Sequence, residues 1–64
     1  MKVLELMANS NQSWEEAVKN AVKTAAKSVK NIKSVYVKDQ TASVSGDSIT
    51  DYRVIVKITF EVEA

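Results

Sequence analysis

Residues 10–30, SNQSWEEAVKNAVKTAAKSVK, are the one long stretch of this chain with helical periodicity, and the remaining segments are arranged around it. Trp14, Ala17, Val18, Ala21, Val22, Ala25 and Val29 recur at intervals of three and four, which predicts a helix from Ser10 to Lys30 with one apolar stripe. That stripe is mostly small. Ala17, Ala21 and Ala25 lie along one edge, where a sheet backbone can approach the helix closely. The polar cluster from Asn9 to Ser13 offers two N-caps, Ser10, or Ser13 with Glu16 as a capping box. On the opposite face Glu15 and Lys19 form a favourable pair, and Lys23 and Lys27 prolong a solvated basic ridge. Trp14, in the first turn, reads as a packing anchor.

Outward from the helix the periodicity changes to two. Lys2 to Ala8 (KVLELMA) is a short strand with Leu4, Leu6 and Ala8 on one face and Val3, Glu5 and Met7 on the other. After a helix stop at Asn31, a β-rich segment begins at Val35 and runs to about Ser45, and Gly46 and Asp47 make a turn. From Ile49 or Thr50 the last strand alternates with little error. Tyr52, Val54, Val56, Ile58, Phe60 and Val62 share one face; Asp51, Arg53, Lys57, Thr59 and Glu61 share the other, with Ile55 the apolar exception. The expected fold is α+β, in the order β-α-β-β, with a three-stranded antiparallel sheet wrapped around one long helix.

Pairing the apolar sides puts Val35 and Val37 with Ile58, Val56 and Val54. Ser34, Tyr36, Lys38 and Gln40 then point away from the helix, beside Arg53, Ile55 and Lys57. That mixed outer face is the candidate for subunit contact or a shared ligand. A hairpin of about ten residues per arm is roughly 33 Å long, against about 28–30 Å for the helix. A helix about 10 Å wide does not cover three strands, so some apolar sheet surface is expected to meet another copy.

Composition narrows the function. The chain has 64 residues, no Cys, no Pro, no His and one Gly, and it is expected to be a single domain over 1–64. At this size ordering costs of roughly 1.5 kcal/mol per residue nearly cancel what burial returns, so a partner chain is the expected remedy. Nine basic and eight acidic side chains leave a net charge of +1, which argues against a nucleic-acid binder or a polybasic membrane anchor. Met1 to Ala8 is too short for a secretory or membrane-spanning segment, and the cytoplasm is the default location. Without His or Cys there is no Ser-His or Cys-His nucleophile system and no zinc or haem ligation of the usual kinds. Asp39, Asp47 and Asp51 lack EF-hand spacing. The expectation is a protein that is not an enzyme and holds no metal of its own.

Three blocks in order carry a resemblance: VLELMANSNQSWEEAVKNAV (3–22), KSVKNIKSVYV (27–37) and DYRVIVKITFEVE (51–63). Their order and spacing resemble the dodecins, small flavin-binding proteins that assemble as hollow twelve-subunit shells. The resemblance covers essentially the whole chain. It implies a homododecamer that stores a flavin (FMN or riboflavin) or a similar planar or anionic small molecule between subunits, without catalysis. By the same resemblance, Ser34 occupies the position of the family's flavin-stacking Trp, and Arg53, following Tyr52, that of its ring-edge Gln. Tyr36, two residues along on the same face, offers a smaller ring, and Arg53 a cation for an acid such as a flavin phosphate. Ser34, Tyr36, Gln40 and Arg53 are thus the expected ligand-binding residues. The alternative is a dodecin-like structural or ion-binding oligomer that has lost flavin.

Overall fold

The computed structural model describes residues 1–62. Its elements are β1 (Lys2–Ser10), α1 (Trp14–Ala26), β2 (Ile32–Ser45) and β3 (Ser48–Phe60). They form a β-α-β-β unit whose antiparallel sheet has the order β1-β3-β2. The strand with the cleanest alternation is therefore the central one, the only strand whose pattern must satisfy two neighbours at once.

The core is a seam between small and branched side chains. Ala17, Ala21 and Ala25 of α1 pack against Val54, Val56 and Ile58 of β3, and all six are at most 2% exposed. Each fully buried Val or Ile contributes about 1.5–3 kcal/mol. Leu4, Leu6 and Ala8 flank the seam from β1, and Val35 and Val37 pair with Ile58 and Val56 as the alternation requires.

The helix is shorter than its periodicity predicts. It runs from Trp14 to Ala26, about 20 Å at 1.5 Å per residue, where the stripe alone predicts Ser10 to Lys30. At the N-terminus Ser13 is the cap: its hydroxyl accepts from the Glu16 N–H at 3.0 Å. Ser10 instead ends β1, and its buried hydroxyl accepts from the Gln12 N–H at 3.0 Å. At the C-terminus Lys27 and Ser28 donate to carbonyls only three residues back, which tightens and ends the helix. The chain then turns through Asn31, whose φ of 60° is left-handed, a conformation Asn tolerates better than most residues. Val29 still packs on the core from beyond the helix end.

The hairpin, in contrast, exceeds expectation. β2 begins at Ile32 rather than Val35, and the arms have 14 and 13 residues. Gly46, at φ 65°, opens the two-residue loop between Ser45 and Ser48, the place where a II′ turn needs glycine. Long arms and a short helix give extents of 52 × 18 × 13 Å. α1 lies on β1 and β3 and touches β2 least, so the hairpin tip projects beyond its first turn.

Trp14 marks that boundary. Its indole N–H donates to the Thr41 carbonyl at 3.0 Å, and its ring meets Tyr52 edge-on, centroids 5.0 Å apart at 78°. It pins the start of α1 to both arms of the hairpin, as a packing anchor does.

Candidate functional site

Because Val54, Val56 and Ile58 face α1, the odd-numbered residues of β3 face away from it. The register extends that outer face over all three strands. Successive rungs read Val3–Thr59–Ser34, Glu5–Lys57–Tyr36, Met7–Ile55–Asp39 and Asn9–Arg53–Thr41. Among the described residues no element covers this surface. Val3, Met7 and Tyr36 are 62%, 61% and 64% exposed on it. Exposed aromatic, Met and Arg side chains together are the residue types that protein interfaces favour.

The face also carries balanced charge. Arg53 pairs with Asp51 at 3.8 Å, and the Asn9 amide donates to the same carboxylate at 3.2 Å. Lys38 reaches across β3 to Glu5 at 3.6 Å. Solvent-exposed pairs of this kind contribute about 0–1 kcal/mol, so they orient the side chains more than they hold the sheet. Among the described residues, Lys57, between Glu5 and Tyr36, has no ion-pair partner.

Ser34, Tyr36 and Arg53 all lie on this face, but not together. Ser34 is on the Thr59 rung, six residues from Arg53 along β3, about 20 Å at the usual strand rise. Tyr36 is one outer rung nearer. A single ligand touching both Ser34 and Arg53 would need them from different copies.

Gln40 corrects the expected grouping. It was expected to point outward with Tyr36, yet it pairs with Val54 and so lies on the helix side. The cause is a bulge between Val37 and Asp39, which adds one residue to β2 and reverses its phase. Asp39 takes the outward place instead, opposite Ile55. The sequence carries a signal for this slip: the inward apolar residues of β2 fall at odd positions, Val35 and Val37, and then at even ones, Ala42 and Val44.

Trp14 is on the helix side and contributes nothing to the outer face. Among the described residues no three His, Cys, Asp or Glu side chains gather as a metal-binding group, and no helix is long and apolar enough to cross a membrane.

A β-α-β-β chain with one helix laid on β1 and β3 and the other sheet face uncovered defines a class of small α+β proteins. This chain belongs to the dodecin family, whose model matches residues 1–63. It is 32% identical over 60 residues to the "Calcium dodecin" of Mycobacterium tuberculosis, covering 94% of this chain and 84% of that protein. A variant of the Thermus thermophilus dodecin superposes with a TM-score of 0.91 at 24% identity, covering 98% of this chain and 94% of that one. The Streptomyces coelicolor dodecin gives 0.89 at 22%, covering 98% and 90%. These solved structures share the fold.

Proposed function

We propose that this chain, a single domain over 1–64, assembles with copies of itself into a closed dodecin-like shell and holds a flavin or a similar planar or anionic small molecule between subunits, without catalysing a reaction. The observation that carries the reading is the bare outer face, where Val3, Met7 and Tyr36 are exposed beside Arg53 and Lys57. Exposed aromatic, Met and Arg side chains gathered on one uncovered face support an interaction site. A second copy laid on it brings residues that one chain keeps far apart into a common space. In that space Tyr36 offers a ring for stacking, and Arg53 and Lys57 offer charge to an acid. Ser34, at the end of the face, leaves room where a larger side chain would fill it. The shell works free in the cytoplasm, and twelve is the subunit number the family reading implies.

Titration of the purified chain into riboflavin and FMN, followed by flavin fluorescence, tests this. Saturable quenching is expected, weakened by Tyr36→Ala and, for FMN more than riboflavin, by Arg53→Ala. Unchanged emission at high micromolar protein removes the flavin reading.

A second reading, a shell of this fold with a structural or ion-binding role and no flavin, is favoured by the pairing of Arg53 with Asp51 inside one chain. Flavin binding gained only in Ser34→Trp would decide for it.

A further inference from the structure

The two ends of this elongated chain are complementary. At the hairpin tip, Val44 and Ile49 pair across the strands and stand 64% and 45% exposed. Counting back through Ala42 and Gln40 puts them on the helix side of the sheet, past the Trp14 anchor, where α1 no longer reaches. At the other end, where α1 finishes and β3 leaves the sheet, there is an open cavity of about 240 Å³. Its apolar walls are Val29, Phe60 and Val62.

Charge follows the same division. Residues 23–33 contain four lysines and no carboxylate, and two of these, Lys23 and Lys27, continue the helix ridge toward the cavity. Residues 39–52 contain three aspartates and no cation. Asp51 is already paired with Arg53, which leaves Asp39 and Asp47 as the aspartates of this stretch without an ion-pair partner among the described residues. Among the described residues that line the cavity, Glu61 is the acid.

Resting on the self-assembly proposed above, we infer that the hairpin tip of one copy docks into the helix-end cavity of the next. Val44 and Ile49 enter between Val29 and Phe60, and Asp47 lies against Lys30 or Lys27. The contact is heterologous, head to tail, so it propagates from copy to copy and closes only if the rotation between copies closes. The same chain cannot satisfy itself: Ile49 and Phe60 lie eleven residues apart along β3, about 37 Å.

The chain's freedom from cysteine makes a direct test available. The double variant Ser28→Cys/Ser48→Cys places one thiol at the cavity and one beside Ile49. Under mild oxidation it should form a ladder of covalent species longer than two chains, whereas either single variant stops at a dimer. In parallel, Ile49→Asp should raise the concentration at which the assembly dissociates at least tenfold by sedimentation, with the secondary structure unchanged. Asp47→Lys and Lys30→Glu should each weaken assembly, and together restore it. An assembled wild type with no ladder and no response to Ile49→Asp overturns the contact but leaves self-assembly standing. A wild type that sediments as one chain at every concentration overturns both. If Ile49→Asp misfolds, the ladder decides alone, because exposed serines are replaced there.

Discussion

Enlarging Ala21 should destabilise this protein far more than the same change five residues along the same helix. Ala21 is fully buried in the seam with Val54, Val56 and Ile58, while Ala26 is exposed. Ala and Leu are both strong helix formers, so Ala21→Leu leaves helix propensity almost unchanged. What changes is volume: three added carbons must fit where helix and sheet already touch. Overpacking of this kind costs about 1–3 kcal/mol. A 64-residue chain at ordinary stability per residue holds only about 3–10 kcal/mol in all. A 2 kcal/mol loss in a domain this small lowers Tm by about 8–16 °C. The assay is thermal unfolding followed by circular dichroism at fixed protein concentration, because assembly makes Tm concentration-dependent. Ala26→Leu, the control, should move stability by no more than about 0.5 kcal/mol. Equal losses in the two variants, or none in Ala21→Leu, would refute the close seam.

Three further predictions follow from single contacts. Ser13→Ala removes the hydroxyl that accepts from the Glu16 N–H and should cost about 1 kcal/mol in urea unfolding, whereas Ser10→Ala should leave the helix cap intact. Trp14→Phe keeps an aromatic ring, smaller than the indole, and deletes the N–H that meets the Thr41 carbonyl; at least about 0.5–1.5 kcal/mol should be lost, with faster hydrogen exchange in the distal hairpin. Gly46→Ala meets no atom within 4 Å, so its expected cost of about 1–2 kcal/mol is purely the left-handed backbone, and Gly46→Asn should recover much of it in the same denaturation assay.

Much of the architecture is legible in the residues because each signal has one strong cause. Val54, Val56 and Ile58 alternate without error since β3 has neighbours on both sides, and the alanine edge announces a close sheet. The element ends are harder to read. Val29 keeps the helical spacing although the helix stops at Ala26, because a residue past the end still packs on the core. Ser10 has the chemistry of a cap and serves as the end of a strand. The bulge after Val37 is visible only as a change of phase between Val37 and Ala42, and overlooking it puts Gln40 on the wrong face. The outer face itself follows from register, so Ser34, Tyr36 and Arg53 are placed correctly relative to the helix. Their separation along β3 depends on where each strand begins, which composition does not specify.

In the proposed assembly a second copy lies on the bare face of the sheet, and a small planar or anionic molecule is held between the two. Sedimentation velocity of the chain with riboflavin, recorded in the flavin's visible band, tests assembly and binding in one boundary. Flavin absorbance should travel with a species of many chains, and Tyr36→Ala should return much of it to the free pool. Flavin left behind by the protein boundary, or a boundary with the mass of one chain, would contradict it.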